Sequence, residues 1–436
     1  MKSSDKVEVI VVGAGPSGLS CAYTLAKSGV EVLVIERGDY PGAKNMFGGI
    51  FFSPIMENLF PDFVKEAPWE RFVSKRRFSL LSGDDEMLFE MRPSAFNSPP
   101  YNHSFITKRS LMDKWFAEKT EASGVNIICN YSVKDFLYDD GKVVGIRGEG
   151  DEDGFLADCV VCAEGANSIL SQKAGLRDKI KPERRSIAVK ESIRLPRSVI
   201  EDRFGITGKQ GAAYEYFGSS VQGLLGNGFI YTNEDSLSIG VGFSLSDFLK
   251  KKNGKAPHDI LEDFKNHPAA KPLIRDGQTV EYMAHMICSD SFDNLPQLYR
   301  DGILLVGDAA GLLNTSFYHE GVNLAMASGI YAAETIMEAR ERNDFSAKML
   351  SRYQAKLSNS FVMQDLKNCR NFLSFLHSHK SIINDYPALF NEILVDYFRV
   401  SEKPKRELKK EIFNKIRKKK VTKMALDMWG VWRNLV

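Results

Sequence analysis

The sequence predicts an α/β fold: a Rossmann-like domain, an inserted mixed antiparallel sheet and a C-terminal helical region. Three observations lead there. A strand, a glycine-rich turn, a helix and a second strand follow one another over residues 7–36. Apolar–polar alternation marks residues 75–100 and much of 184–295, which is the period of half-buried strands. Residues 346–436 read as helices, with neither repeats nor a low-complexity linker.

VEVIVV (7–12) is a β-branched apolar run, as expected of a strand buried on both faces. Gly13, Gly15 and Gly18 then form G-x-G-x-x-G, with Pro16 and Ser17 inside the same turn. LSCAYTLAKSG continues as an amphipathic helix ending at Gly29, and EVLVIE is the second strand, closed by Glu36 and followed by Arg37. This order is the dinucleotide fingerprint. Gly13 permits the tight turn, Gly15 lets a pyrophosphate approach the backbone, and Gly18 lets helix and strand pack closely. The helix start offers free N–H groups and the positive end of its dipole to an anion. The Glu36 carboxylate suits ribose hydroxyls and disfavours a 2′-phosphate. The fingerprint alone leaves NAD and FAD both open.

Three later segments separate them. FLADCVVCAEGANSILSQKAGL (155–176) is a strand followed by Ala163, Glu164 and Gly165. DGILLVGDAAGLLN (301–314) is an apolar strand followed by Gly307 and Asp308. EGVNLAMASGIYAAETI (320–336) is a helix rich in small residues. These segments resemble the recurrent motifs of FAD enzymes of the glutathione-reductase and hydroxylase type. The resemblance implies that Asp308 holds the ribitol chain and that Gly321, Val322 and Asn323 point a helix N-terminus at the flavin pyrimidine edge. A reduced flavin carries negative charge near that edge, which such a helix end stabilises. Arg109 stands where these proteins hold an arginine near the FAD phosphates; the plain alternative is a helix-surface charge. Val133, Ala163 and Gly165 are counted in the same cofactor site. Gly48 and Gly49 let the backbone lie against the isoalloxazine ring, with Lys44 and Asn45 in their loop. No second G-x-G-x-x-G occurs, so no separate nicotinamide domain is expected.

Composition bounds the rest. The 436 residues are 43% hydrophobic with a net charge of +2, ordinary for a globular protein of two or three units. No run of eighteen apolar residues is present, and the first residues lack the pattern of a signal peptide, so a cytoplasmic protein is expected. Cys159 and Cys162 share a presumed strand, where positions three apart face opposite sides, so no metal site is expected. Lys403 to Lys423 holds eleven Lys/Arg against two Glu, beside Phe413, Trp429 and Trp432. That pairing suits an anionic membrane surface, or equally a basic helix docked on its own domain. No recognition motif accompanies the charge, so no nucleic acid is expected as a partner.

The expected division is an FAD domain over 1–74, 104–182 and 296–345, a quinone or substrate domain over 75–103 and 183–295, and the helical region from 346 to 436. Five stretches carry a closer likeness: ERGDYPGAKNMFGGI (36–50), GFIYTNEDSLSIGVG (228–242), GDAAGLLNTSFYHEGVNLAMASG (307–329), SNSFVMQDLKNCRNF (358–372) and YPALFNEILVDYFRVSEKPKRELKKEI (386–412). Together they resemble the FixC-type electron transfer flavoprotein–quinone oxidoreductases, kin to geranylgeranyl reductases. The resemblance implies an FAD enzyme that passes electrons from an electron transfer flavoprotein, with its alpha and beta subunits, to a membrane quinone. A separate ferredoxin-like iron–sulfur subunit of the FixX type, and a peripheral position on the inner face of the cell membrane, are implied with it. Electron bifurcation between ferredoxin and quinone stays open. The alternative is a reductase of geranylgeranyl or other isoprenoid double bonds; a FAD monooxygenase and a bare electron-relay subunit are the further readings. Quinone reduction needs protons, and His319 is the first candidate for relaying one, with Tyr318 as its hydrogen-bonding neighbour. The other reading makes both packed side chains that close the pocket. Tyr214, Tyr216, Phe217, Phe229 and Tyr231 are candidates for an aromatic wall, although strand alternation must turn half of them away.

Overall fold

The computed structural model describes residues 6–45, 49–151, 153–251, 254–290, 292–402, 404–418 and 421–435. The chain forms two compact units. The first comprises residues 1–70, 103–185 and 286–367, and the second 71–102, 186–285 and 368–436.

In the first unit the apolar run at the start is strand β1 (Val7–Val12), with five of its six residues buried. It lies between two parallel neighbours, β2 (Val32–Ile35) and β10 (Phe155–Cys162). Outward from β2 comes β7 (Asn126–Ile128), and outward from β10 comes β17 (Ile303–Leu305), edged by the short antiparallel β16 (Tyr299–Arg300). Strands β8 (Val133–Asp139) and β9 (Lys142–Gly148) form a hairpin carried by β10. Strands β3 (Gly49–Phe52) and β6 (Ser104–Thr107) pair antiparallel. The central strands read as continuous hydrophobic runs because helices cover both faces of a parallel sheet. Cys159 and Cys162 are buried within β10, and burial pushes the Cys159 thiol up to about 12.

The helix after the glycine turn runs Pro16–Lys27, and a long helix spans Val322–Glu341. These two pack backbone against backbone. A β-carbon at Gly329 would lie 2.2 Å from the Ser17 carbonyl oxygen, so only glycine fits there. The Ser20 hydroxyl donates to the Met326 carbonyl at 2.9 Å across the same seam. The small residues of 320–336 are therefore the condition for this close crossing.

The second unit is built on a sheet ordered β15 (Gln278–Cys288), β11 (Arg185–Arg194), β14 (Ser236–Ser244), β13 (Gly226–Thr232), β12 (Gln210–Gly218) and β4 (Trp69–Ser82), with β5 (Asp85–Met91) folded back on β4. All neighbours whose register is resolved are antiparallel except β12 and β4, which run parallel. The Asn233–Glu234–Asp235 turn joins β13 to β14 as the sequence suggests. One face of this sheet carries Val189, Ile193, Tyr214, Tyr216, Ile230, Ile239 and Val241, packed with Phe204 and Phe264 of the helices Arg197–Phe204 and Pro257–Asn266.

The end of the chain is helical: Phe372–Ser378, Ser381–Phe398, Lys405–Lys418 and Val421–Leu435. Leu408 and Ile412 are buried, and the Lys415 ammonium pairs with Glu392 at 2.7 Å and with Asp396. In the last helix Met424, Asp427, Gly430, Val431 and Asn434 are the less exposed described positions, spaced as one helical face. Asp427 accepts the Tyr386 hydroxyl; burial, with that carboxylate, pushes the phenol up to about 12. The opposite face is apolar and open: Leu426 is 68% exposed, Trp429 59% and Trp432 65%.

Candidate functional site

Three glycine turns of the first unit meet at the start of the helix Pro16–Lys27. Gly13 sits at φ +109°, and a β-carbon there would lie 2.4 Å from the Ala163 carbonyl oxygen, which binds the first turn to the end of β10. Gly307 sits at φ +61°, and a β-carbon there would lie 2.6 Å from Ser17 Oγ. Its N–H donates to Ser328 Oγ at 2.9 Å, so the Asp308 turn is fastened to the long helix as well. Gly13, Ser17, Ala163, Gly307 and the helix Val322–Glu341 are thus one construction, though 315 residues separate Gly13 from Ser328 in number.

This construction fits a dinucleotide. A β-carbon on Gly15 would meet no heavy atom within 4 Å, so the backbone there is open to an approaching group, whereas Gly18 is closed against the Gly13 carbonyl. No side chain caps the Pro16 helix, and its first turn holds no acid, which leaves its N–H groups and positive dipole for an anion. The Val322 helix begins in the same way, with Gly321 as its cap residue. The Glu36 carboxylate accepts from Ala14 N at 2.9 Å and from Gly38 N at 2.7 Å. Each oxygen keeps lone pairs for further donors such as ribose hydroxyls. Arg37 and Lys44 are exposed, Val133 opens β8 opposite Gly148, and Gly165 turns the chain after β10 at φ +79°. Gly48 lies outside the described residues; Gly49 opens β3.

Arg109 begins the helix Arg109–Glu121, and its guanidinium forks onto Asp113, with Nε and Nη2 each 2.8 Å from a carboxylate oxygen. Burial works against this charge, but Asp113 and Asp308 outweigh it and push the guanidinium pKa up. Asp308 is near enough to act on the Arg109 charge. Asn45 donates its amide to the same Asp113, and a β-carbon on Gly42 would lie 2.9 Å from Asp113 Cβ. Asp113 therefore holds together the Asn45 loop and Arg109. The sequence contains it only as an i, i+4 charge partner, a pattern common on any exposed helix.

The Phe317–Tyr318–His319 loop is closed by a bridge between Asn314 and Glu320. Tyr318 is 60% exposed, and His319 is exposed with φ +48°. Beneath them lies a carboxyl that sequence reasoning passed over. Glu320 accepts from Asn323 Nδ2 at 2.8 Å, while Asn323 Oδ1 accepts from Ile55 N at 3.1 Å. Burial, helped by Asp365, raises the Glu320 pKa in spite of the Asn323 hydrogen bond. A second unforeseen group is Arg177, buried, which donates to the Ala309 carbonyl at 2.6 Å and pairs with Asp290; Arg184 joins the same carboxylate. No local pattern marks a partner 113 positions away. The aromatic candidates divide: Tyr214 and Tyr216 belong to the core face of the second unit, against Phe204 and Phe264. Phe229 and Tyr231 stack on its other face at 5.0 Å.

The parallel sheet, glycine turns and paired helices define an FAD-dependent oxidoreductase fold. A geranylgeranyl bacteriochlorophyll reductase-like protein from Thermoplasma acidophilum superposes with a TM-score of 0.72 at 20% identity, covering 95% of this chain and 98% of that one. The flavin-dependent brominase Bmp2 gives 0.64 at 19%, covering 95% and 100%. The chain belongs to the FixC family of electron transfer flavoprotein–quinone oxidoreductase-like proteins. It is 40% identical to protein FixC of Azorhizobium caulinodans over 93% of both chains. It is 37% identical to the probable electron transfer flavoprotein-quinone oxidoreductase YdiS of Escherichia coli K12, over 95% of this chain and 96% of that one. Residues 372–435 match the ETF-QO/FixC family C-terminal domain, and residues 1–67 match the Thi4 family.

The raised Glu320 pKa makes a stability prediction. A carboxyl whose pKa is higher folded than unfolded favours the fold when protonated and loses that advantage as pH rises through the folded value. Glu320→Gln keeps an acceptor for Asn323 without the charge. Its melting temperature should exceed the wild type's at pH 7 and match it near pH 4. Scanning calorimetry at the two pH values measures this; equal shifts at both would remove the buried charge as the cause.

Proposed function

We propose that this protein carries electrons from an electron transfer flavoprotein, through a ferredoxin-like iron–sulfur subunit, to a membrane quinone. The observation that carries the reading is the whole-length likeness to a relative named as such an oxidoreductase, which includes the C-terminal helices that match the family domain. The fold of the first unit supports FAD as the cofactor. The Pro16 helix start would hold the pyrophosphate, Glu36 the ribose and Asp308 the ribitol chain, with the Val322 helix start toward the pyrimidine edge. FAD when bound supplies a two-electron store that can also exchange single electrons. The single glycine fingerprint favours a protein donor over a nicotinamide.

The chain's own residues serve this chemistry in separate ways. The uncapped start of the Val322 helix stabilises negative charge. Glu320, next to it, holds a proton more readily than an ordinary carboxyl. His319 and Tyr318, exposed on the adjoining loop, relay protons from solvent. The isoprenoid-reductase alternative draws on a fold likeness at 20% identity, half the 40% of the FixC relative.

The C-terminal helices supply a membrane-facing surface. No described helix is long and apolar enough to cross a bilayer. The last helix instead turns Leu426, Trp429 and Trp432 outward, and Phe413 stands exposed on the preceding helix near Arg406, Lys409 and Lys410. Cations beside open tryptophans suit the headgroup region of an anionic membrane, where quinones are reached.

Two measurements check this. The complex reduced through its electron transfer flavoprotein should convert a short-chain ubiquinone analogue or menadione to the quinol; turnover of a geranylgeranyl substrate with no quinol from any quinone would reverse the assignment. Phe413→Glu, Trp429→Glu and Trp432→Glu together should lower flotation with phosphatidylglycerol liposomes at least about tenfold. Undiminished flotation would move the contact elsewhere.

A further inference from the structure

Glu320, Asn323, Ile55 and Asp365 all belong to the first unit and act on one another at the start of the Val322 helix. The main chain is pinned there. The Glu320 N–H donates to the Asn314 carbonyl at 3.1 Å, and the Asn314 N–H returns a bond at 2.9 Å. The carboxyl therefore leaves the chain at a fixed point, two residues before the helix. Asn323 is buried, and its amide is oriented too. The Ile55 N–H can only donate, so it takes the Asn323 carbonyl oxygen and turns the amide nitrogen toward Glu320 Oε1. A donor aimed at Oε1 suits a carboxylate and a carboxylic acid alike. Oε2 is the oxygen left to carry a proton.

The surroundings of this carboxyl oppose its ionisation. Glu320 is half-buried, and burial together with the Asp365 charge raises its pKa. Asp365, on the helix Phe361–Asn368, is itself half-buried, and burial raises its pKa as well. The positive end of the Val322 helix works the other way and favours the charged form. A carboxyl balanced between these effects responds to any further negative charge placed at the helix start. A reduced flavin brings such a charge to its pyrimidine edge.

We propose that Glu320 is a redox-linked proton acceptor, which takes up a proton when the bound FAD is reduced and releases it on reoxidation. The proposal rests on the placement of the flavin edge at the Val322 helix start and deepens it. Two electrons arrive from the electron transfer flavoprotein, or from dithionite in the test, with one proton for the flavin, which leaves one added negative charge. Glu320 takes a second proton from water: an O–H bond forms at Oε2, and the negative charge of the carboxylate is removed. When the electrons leave, that O–H bond breaks and the proton returns to water. Linkage makes the effect reciprocal, so an ionised Glu320 lowers the flavin potential and a protonated one does not.

The test is the midpoint potential of the bound FAD in wild type and Glu320→Gln between about pH 5 and about pH 9, by dye-coupled titration with dithionite. Glutamine keeps an acceptor for Asn323 and never ionises. The two potentials should converge at the acid end. As pH rises, the wild type should fall below the variant and the gap should then level off. It should open by at most about 30 mV for each tenfold loss of protons, the value for one proton against two electrons. Glu320→Asp, which keeps an acid, should keep a pH-dependent gap to the glutamine variant. If Glu320→Gln does not fold, Asp365→Asn serves: without the Asp365 charge, the bend in the plot of potential against pH should move to lower pH. A gap that is zero or equal at every pH overturns the proposal, as does a bend that stays in place or vanishes in Asp365→Asn. A folded wild type that binds no FAD overturns the cofactor placement and this role with it.

Discussion

The start of one helix is the constraint on which the first unit depends. Around Pro16–Ser17 the turn after β1, the end of β10, the Asp308 turn and the long Val322 helix come into close contact. Gly13 closes on Ala163, Gly307 on Ser17 Oγ, and Gly329 on the Ser17 carbonyl. A β-carbon at any of the three would lie within 2.6 Å of its neighbour, so one of the elements would have to shift. Because the Pro16 helix is uncapped, the same crowding leaves its positive end open to an anion. The glycines that allow this packing thus also leave the helix start uncovered.

Around that point the charges are arranged in relays. Arg109 answers to Asp113 and Asp308 together, which holds its guanidinium in place. Glu36 is similarly committed to Ala14 and Gly38, which fixes its carboxylate at the rim of the turn. Arg177 and Asp290 hold the Asp308 turn from behind through the Ala309 carbonyl. Preorganisation of this kind removes the cost of ordering donors and acceptors during binding.

The parallel sheet and the fingerprint were legible because their signals are local: β-branched runs, glycine spacing, and a carboxylate at the second strand's end. The small residues of 320–336 marked a helix, and the structure shows what they are for: Gly329 meets the Ser17 carbonyl at backbone distance. Other features had no local signal. Asp113 is one of many i, i+4 pairs, and only the fold shows that Asn45 and Gly42 converge on it. Glu320 stood one residue beyond the histidine that attracted attention, and its raised pKa arises from burial and Asp365, both tertiary. Strand alternation divides the aromatics but does not say which half faces the core; Tyr214 and Tyr216 do. Nor does amphipathicity say which side of a terminal helix docks, and here the tryptophans face out.

The central claim is that one FAD is held where the glycine contacts meet, and counting flavin after substitution at the seam tests it most directly. Purified wild type, extracted with acid and assayed by absorbance at the flavin band, should yield one FAD per chain. Gly329→Val, which forces the Val322 helix off Ser17, should lose most of that FAD and about 1–3 kcal/mol of stability while the chain stays folded by circular dichroism. Full flavin occupancy in the folded variant would contradict the account.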